Sequence, residues 1–278
     1  MSLINQAAYK ISSSLGKFCC KRKRSYLVSR IVNQVKIFVR AAGNLNFDIS
    51  SNGEVRVLEC ISTINPNIVF DVGASIGEWA ILARQILPLS CVHAFEIVPD
   101  TYLKLVEASS GDKMIVANNI GLSDQSGSIK IYTSSHGSSV STANKIHGMQ
   151  FHANFYDGEL DLEVMTGKSY IEDNSIENID FLKIDIEGME LKVLLGLGDR
   201  IRDVKVIQFE YGIFNISSRA LLIDFFNLLR PHGFLIGKIY PEFVEFFDYN
   251  FIDEDFGGHN YIAIKESEAD LISCLAGR

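Results

Sequence analysis

Two acidic residues at the ends of neighbouring apolar runs are the first candidates for chemistry. Asp71 closes residues 68–71 and opens the turn sequence D-V-G-A-S-I-G, after which a helical pattern begins. Because glycine lacks a Cβ, Gly73 allows a tight turn and Gly77 allows a close backbone approach. The spacing differs from the dinucleotide fingerprint G-x-G-x-x-G, which receives a pyrophosphate. An acid here suits a ligand that carries an amine or a sulfonium, and a purely structural turn is the alternative.

The second acid, Glu96, ends the apolar run at residues 91–96, 19 positions after Gly77. A carboxylate has two acceptor oxygens, so an acid at the end of a second strand can bind both hydroxyls of a ribose. With Asp71, it describes a nucleoside ligand without phosphates, such as S-adenosylmethionine. A solvated strand end is the alternative for Glu96.

A third group of acids lies in the segment K-I-D-I-E-G-M-E, at residues 183–190. Asp185, Glu187 and Glu190 fall within six positions, and the negative potential that they concentrate favours a sulfonium cofactor. Glu190 fits the first turn of a helix, where an acid interacts favourably with the helix dipole. Asp185 is therefore the preferred residue on the catalytic face, and a structural role is its alternative.

An alternation of strands and helices must position these acids. Strands are predicted at residues 68–71, 91–96, 113–119, 181–185, 204–210, 234–239 and 260–264. Helices are predicted at residues 79–87, 100–108, 189–195 and 219–229. This order predicts an α/β fold with a doubly wound, mainly parallel sheet, whose ligand site lies at the carboxyl ends of the strands. Residues 128–133 alternate as in an added strand, whereas residues 143–160 have little periodicity.

Five segments resemble, in this order, the FkbM-type S-adenosylmethionine-dependent methyltransferases, a class I, Rossmann-like family: DVGASIG, AFEIVP, NNIGLSD, FLKIDIEGME and IQFEYG. The resemblance covers about residues 54–265. Three positions depart from the usual family pattern, since Ser75 replaces Asn, Ile97 replaces Pro and Gly121 replaces Ala. Ser75 could weaken a side-chain contact near the cofactor.

The resemblance implies a binding site for S-adenosylmethionine. The amino-acid half of the cofactor would lie along Asp71, Gly73, Ala74 and Gly77. Glu96 would bind the ribose. The adenine would lie beside Ile97, Leu122, Ser123 and Asp124. Asp185 would lie beside the reactive methyl group, followed by Glu187 and Gly188.

The resemblance also implies an activity, O-methylation of a hydroxyl on a sugar, a polysaccharide precursor or a secondary metabolite. Holding cofactor and acceptor near attack distance supplies much of the acceleration. A general base helps, because a protonated alcohol is a poor nucleophile. The candidate bases are Asp185, Glu187 and His136, which lies in a polar loop, with His147, His152 and His259 as weaker choices.

Other chemistries stay open. Asp185 and Glu210 end the fourth and fifth predicted strands, and their carboxylates could hold a divalent metal, unless Glu210 only caps its strand. A non-catalytic S-adenosylmethionine-binding protein is a further alternative, and retention of the acids at residues 185–190 counts against it. A nicotinamide-dependent oxidoreductase is disfavoured because the phosphate fingerprint is missing.

The charge of the chain is unevenly distributed. Residues 1–40 carry nine Lys or Arg and no acid, whereas the remainder holds 17 basic and 34 acidic residues, a net charge of −17. An acidic body argues against a nucleic-acid partner. Residues 1–24 are expected to be weakly structured, and residues 25–41 to form an amphipathic basic helix that packs on the body or contacts anionic lipid. We therefore assign residues 1–50 to an N-terminal extension and residues 51–278 to the methyltransferase domain.

The five cysteines (19, 20, 60, 91 and 274) show no zinc spacing, and their odd, scattered set is typical of reduced thiols in a cytosolic protein. No apolar run reaches the roughly 18–20 residues of a membrane span. The sequence thus predicts a cytoplasmic protein with peripheral contact to the inner face of the membrane through the basic arm. It leaves the oligomeric state open.

Overall fold

The computed structural model describes residues 3–133, 142–143 and 158–277. The chain divides into two compact units, Met1–Leu45 and Asn46–Arg278. The smaller unit contains helices α1 (Leu3–Lys21) and α2 (Tyr26–Ala42). In the described ranges, no helix is both long enough and apolar enough to cross a membrane.

The expectation of a weakly structured segment before residue 25 is wrong, because α1 spans Leu3–Lys21. Ile11, Leu15 and Phe18 recur at spacings of four and three residues, as on one face of a helix, and the neighbouring serines oppose a helix only weakly. The amphipathic helix predicted at residues 25–41 is confirmed by α2.

The larger unit is built on an eight-stranded sheet and a second, three-stranded sheet. The strands are β1 (Ile68–Val72), β2 (Cys91–Phe95), β3 (Ile115–Asn118), β4 (Gly121–Ser123), β5 (Gly127–Thr133), β6 (Gly158–Thr166), β7 (Ile179–Ile184), β8 (Val204–Tyr211), β9 (Phe234–Ile239), β10 (Val244–Phe246) and β11 (His259–Lys265). The helices are α3 (Glu54–Ser62), α4 (Glu78–Ile86), α5 (Pro99–Ser109), α6 (Gly167–Asp173), α7 (Glu190–Gly196), α8 (Phe214–Ser218), α9 (Leu222–Leu229) and α10 (Ala269–Leu275).

The large sheet has the order β3-β2-β1-β7-β8-β11-β9-β10. The first five strands pair in parallel, whereas β11 runs antiparallel to both β8 and β9, and β10 runs antiparallel to β9. The chain moves outward from β1 to β3 and then returns to β7 on the other side of β1. The predicted doubly wound, mainly parallel sheet is confirmed, and its strand order reverses between β1 and β7, where such sheets bind ligands.

The sheet is covered on both faces, so its central strands are buried and largely apolar. All six residues of β7 are buried. Phe70 and Leu182 belong to one apolar cluster, whereas their neighbours Val69 and Phe181 belong to a second cluster on the opposite face. Alternate side chains of a strand point to opposite faces, so two cores hold the central strands in place.

Several elements differ from the sequence prediction. The added strand predicted at residues 128–133 is confirmed as β5, but its antiparallel partner β6 lies partly in the segment predicted to have little periodicity. The helix predicted at residues 219–229 begins three residues later, as α9, and is preceded by the unpredicted short helix α8, which ends where Arg219 adopts a left-handed conformation (φ 60°). A new helix, α9, then begins after Leu221, whose N–H donates to the Asp224 carboxylate over 2.8 Å.

The expectation that all five cysteines are reduced is wrong for two of them. Cys60 in α3 and Cys274 in α10 form a disulfide, with a Cα–Cα distance of 5.9 Å. Arg56 of α3 also donates to the Cys274 carbonyl over 2.7 Å. The two cysteines are 214 residues apart in sequence, so their spacing gives no sign of the pairing.

Candidate functional site

The candidate site lies at the carboxyl ends of β1, β2, β7 and β8, where the turn after β1 is locked to its neighbours. The N–H groups of Gly73 and Ala74 donate to the Phe95 carbonyl over 3.0 and 2.9 Å, and the Asp185 N–H donates to the Val72 carbonyl over 2.9 Å. Gly73 has φ 86°, and a Cβ there would lie 1.9 Å from the Asp185 carbonyl oxygen. The tight turn predicted at Gly73 is therefore present, and it requires glycine.

Gly77 precedes α4 with φ 93°, so a side chain there would be strained. Its close neighbour in the structure is helix α5, since a Cβ would lie 2.8 Å from the Leu105 side chain. The close approach predicted at this glycine is thus an approach between two helices of the fold.

Glu96 is buried at the end of β2, and backbone groups hold its carboxylate in place. One oxygen accepts from the Ser75 N–H over 3.0 Å, and the other accepts from the Val98 N–H over 2.8 Å. Burial raises the pKa of Glu96 above its usual value, against the effect of these two hydrogen bonds. A carboxylate offers about four acceptor positions, so two stay open for a ligand.

Two departures from the family pattern fit each other. Ile97 is half-buried beside Gly121, where a Cβ would lie 2.7 Å from the Ile97 side chain. Ile97 therefore occupies the space that an alanine at position 121 would need. The two substitutions compensate in volume, so they do not argue against a ligand beside Ile97.

The residues after β3 pack mainly into the fold. Leu122 and Ser123 are buried, and Gly196 of α7 comes so close that a Cβ would lie 1.9 Å from the Ser123 carbonyl oxygen. Asp124 is the half-buried member of this group. It accepts from the Ser123 hydroxyl over 3.0 Å and lies 3.8 Å from the Lys192 ammonium. Of these three predicted cofactor residues, Asp124 is the one whose side chain is accessible.

Asp71 is completely buried and forms an ion pair inside the sheet. Lys183 lies directly opposite it in the β1–β7 register, and its Nζ lies 3.0 Å from the Asp71 carboxylate. Burial raises the pKa of Asp71, although Lys183 opposes the effect. The pKa of Lys183 is raised by Asp71 and Asp185 despite its own burial. Asp71 is thus held inside the sheet by Lys183, and its role beside a cofactor stays a prediction.

Sequence reasoning missed Lys183 and the polar residues around it. Gln208, opposite Lys183 in β8, donates to Glu54 over 2.7 Å. Asn52 and Asn260 donate to the other Glu54 oxygen over 2.7 and 3.2 Å. A lysine inside the apolar strand β7 is a detectable signal, but its partner depends on the register of the sheet.

The acids that follow β7 form a cluster with Glu210 of β8, which we call the acid cluster: Asp185, Glu187, Glu190 and Glu210. Burial, followed by the charges of Asp185 and Glu190, raises the pKa of Glu187 to about 8. Glu210 has a pKa well above its usual value because of burial and the other three acids. Asp185 has the most accessible carboxylate, with 45% of its side chain exposed, and lies 3.7 Å from the Lys183 ammonium.

Glu190 holds the turn of the acid cluster together. Its carboxylate accepts from the N–H groups of Ile186 and Gly188 over 3.1 and 3.0 Å. It also lies in the first turn of α7, as predicted. Burial is the largest cause that raises its pKa, to about 7. Glu190 therefore has a structural role in this turn, whereas Asp185 is exposed.

The predicted metal pair, Asp185 and Glu210, belongs to the acid cluster. Within the described ranges, no group of three or more His, Cys, Asp or Glu side chains is arranged to hold a metal ion. A metal bound by this pair stays a prediction, and we derive no step through one.

Of the four histidines predicted as candidate bases, the structure describes His259. His136, like His147 and His152, lies outside the described residues. Thr142 is described, and its hydroxyl donates to the Glu187 carbonyl over 3.0 Å. His259 is buried, with its Nε2 3.4 Å from the Asp255 carboxylate, so it is engaged outside the acid cluster.

Comparisons with known proteins assign most of the larger unit to a family. The profile of the methyltransferase FkbM domain matches residues 71–248. Over 181 residues the chain is 26% identical to the hexuronic acid methyltransferase AglP of Haloferax volcanii, covering 62% of this chain and 70% of that protein. It is 29% identical over 192 residues to the methyltransferase sdnD of Sordaria araneosa, covering 58% and 73%.

Among solved structures, the chain is similar to the methyltransferase FkbM of Methylobacillus flagellatus KT, with 17% identity and a TM-score of 0.44. That match covers 72% of this chain but only 44% of the other, so this chain spans less than half of its length. The matched profile starts at Asp71 and takes in Glu96 and the whole acid cluster. This chain therefore belongs to the methyltransferase FkbM domain family.

Proposed function

We propose that the protein transfers the methyl group of S-adenosylmethionine to a hydroxyl oxygen of a sugar or a sugar-containing acceptor. Membership of the methyltransferase FkbM domain family supports methyl transfer, and similarity to a protein named for hexuronic acid supports the acceptor class. One structural observation carries the proposal. Glu96 and the acid cluster flank the turn after β1, at the point where the strand order reverses.

The residues present fit the proposed cofactor. Glu96 keeps acceptor capacity beyond its two backbone donors, which suits the two hydroxyls of a ribose. Ile97 offers an apolar side chain for the adenine, and Asp124 offers a carboxylate acceptor nearby. The acid cluster supplies negative potential for a sulfonium cation. When bound, S-adenosylmethionine supplies an electrophilic methyl group.

Asp71 acts in this proposal as a positioning residue. Its buried pair with Lys183 fixes the end of β1 against β7, directly before the locked turn at Gly73 and Ala74. Lys183 also lies 3.7 Å from Asp185, so the same ammonium orients the exposed acid. Asp71 thus influences the site through Lys183, the residue with which it forms the ion pair.

Asp185 is the general base in this proposal. The acceptor oxygen would take the methyl group as the carbon–sulfur bond of the sulfonium breaks, which leaves S-adenosylhomocysteine. The accessible Asp185 carboxylate would receive the proton that the acceptor hydroxyl loses. Glu187, with its pKa raised to about 8, is mostly protonated at neutral pH and can donate a hydrogen bond to the acceptor. His136, which lies between β5 and β6 in the sequence, stays a candidate base.

The cofactor assignment is tested by titrating S-adenosylhomocysteine into the purified chain in a calorimeter. We expect Glu96→Ala to weaken binding about tenfold or more, since a hydrogen bond to a charged group contributes about 1.5–3 kcal/mol. Asp100→Ala, an exposed acid at the start of α5, is the matched control and should bind normally. Equal affinity of the wild type and Glu96→Ala would remove the ribose assignment.

The reaction class is tested with labelled S-adenosylmethionine and a panel of hexuronic acid-containing glycans and simpler sugars. We expect label in a methyl ether of the acceptor, located by mass spectrometry. Label on nitrogen or carbon would refute O-methylation. Thermal stabilisation by NAD and none by S-adenosylhomocysteine would refute the methyltransferase proposal itself.

A further inference from the structure

Helix α2 presents an exposed apolar stripe that no described residue of its own unit covers. Leu27, Ile31, Val35 and Phe38 follow one another at spacings of four, four and three residues, which aligns them along one face. Between 51% and 71% of each of these residues is exposed, although apolar side chains of this size normally reside in a core. The stripe is a contiguous apolar surface and therefore a candidate interaction site.

The opposite face of α2 is basic. At 3.6 residues per turn, Lys36 and Arg40 lie across the helix from the stripe. Helix α1 repeats the arrangement, since Ile11, Leu15 and Phe18 share one face and are exposed, whereas its lysines lie elsewhere. Both helices of the smaller unit thus have an apolar side and a basic side.

The charge around these two stripes has one sign. Residues 1–40 hold nine Lys or Arg and no acid, and four of them are consecutive at residues 21–24, between the two helices. Arg22 lies over the Phe18 ring, 4.2 Å from its centroid, so a cation is placed directly beside the apolar stripe of α1. Each lysine or arginine near an anionic surface strengthens binding about fivefold.

We propose that α1 and α2 bind in the plane of a membrane that contains anionic lipid. The stripes Ile11–Leu15–Phe18 and Leu27–Ile31–Val35–Phe38 enter the boundary between headgroups and acyl chains, and the basic residues contact the anionic headgroups. The charge complementarity selects this partner, because a second copy would bring two arms of the same sign together. Membrane binding through this surface would locate the proposed methyl transfer at the membrane. It uses none of the residues of the candidate site.

The experiment is flotation of the full-length protein with vesicles of phosphatidylcholine containing about one third phosphatidylglycerol. We expect the protein to float with these vesicles, to stay behind with pure phosphatidylcholine vesicles, and to be released by about 1 M sodium chloride. The double variant Ile31→Ser, Phe38→Ser should bind at least about tenfold more weakly.

Ile37→Ser is the matched control, because Ile37 is 59% exposed on the same helix but lies off the stripe. It should float like the wild type, and circular dichroism checks that all variants keep their helices. A charge variant, Lys21→Gln with Lys23→Gln and Arg24→Gln, should also lose flotation while keeping both apolar stripes.

Several results would overturn the proposal. These are equal flotation of the Ile31→Ser, Phe38→Ser variant, equal binding to neutral vesicles, and binding to single-stranded nucleic acid without vesicle binding. A dimer in analytical ultracentrifugation that only the Ile31→Ser, Phe38→Ser variant breaks, without flotation, would assign the stripe to a second copy. Calorimetry with S-adenosylhomocysteine on the same proteins keeps this test separate from the proposed enzymatic function.

Discussion

At the scale of single residues, Asp71 and Lys183 each need the charge of the other to be stable inside the sheet. Both side chains are buried, so removing one charge leaves the other without compensation in a medium of low polarity. We expect Lys183→Met to lower the free energy of unfolding by about 3–5 kcal/mol. Urea denaturation followed by circular dichroism measures the change.

A second variant separates the loss of the pair from the loss of packing. In Lys183→Met combined with Asp71→Asn, no charge is left buried, so we expect much of the stability to return. If the double variant is as unstable as Lys183→Met alone, the unpaired Asp71 is not the cause.

Glu190 makes stability depend on pH in a defined direction. Its pKa is raised from 4.5 to about 7, so the folded state holds the proton more tightly than the unfolded chain. The resulting stability is fully present below pH 4.5 and is lost as the pH rises through about 7. We expect urea midpoints to fall less between pH ~5 and pH ~8 in Glu190→Gln than in the wild type.

The exposed acid Glu177 provides the control for this measurement. Glu177→Gln should follow the wild type at both pH values, because that side chain is outside the acid cluster. A parallel decline of wild type and Glu190→Gln would show that Glu190 does not titrate in this range.

At the scale of elements, Glu254 fixes the loop after β10 to helix α9. Its carboxylate accepts from the Tyr211 hydroxyl, from the Tyr249 hydroxyl over 3.0 Å, and from the N–H groups of Leu222 and Ile223 over 3.0 and 3.1 Å. The two backbone donors belong to the first turn of α9, where N–H groups have no carbonyl partner within the helix.

We expect Glu254→Ala to destabilise the protein by about 2–4 kcal/mol, since charged hydrogen bonds are lost and backbone donors are left open. Hydrogen exchange should speed up in α9 and at residues 247–257. The exposed neighbour Glu242→Ala is the control. Unchanged exchange at α9 in Glu254→Ala would contradict the assigned role.

The sequence predicts the central strands well because each is a short apolar run that ends at an acid or a turn. β1, β2, β7 and β8 all lie within one or two residues of their predicted bounds. The break at Arg219 escapes prediction, since a left-handed arginine carries no signal in its residue type. The position of the acids at the strand ends was also predictable, but the burial of Asp71 was not, because it depends on a partner 112 residues away.

At the scale of the whole molecule, the Cys60–Cys274 disulfide closes a loop that includes nearly the entire larger unit. A cross-link over so many residues restricts the unfolded chain strongly. We expect Cys274→Ser to lower the free energy of unfolding by about 2–5 kcal/mol under non-reducing conditions, with Cys20→Ser unchanged. A difference that persists in full after reduction of the wild type would mean that the disulfide is not its source.

The same bond tests the proposed cytoplasmic location. A cytosol keeps most thiols reduced, whereas disulfides persist in oxidising compartments. Mass spectrometry after thiol blocking in intact cells reports whether Cys60 and Cys274 are oxidised. A pair that is reduced in intact cells would support a cytoplasmic location, whereas an oxidised pair, as in the structure, would place the protein in an oxidising compartment.

The ion pair between β1 and β7 also bears on how the sheet assembles. More than a hundred residues separate the two strands in the sequence, and both are largely apolar, so their side chains alone specify the alignment weakly. A slip by one residue would turn Lys183 toward the opposite face, into the aliphatic and aromatic cluster around Leu182 and Phe209, with no counter-charge. The pair thus selects a single alignment of the two strands during folding and penalises its nearest competitors.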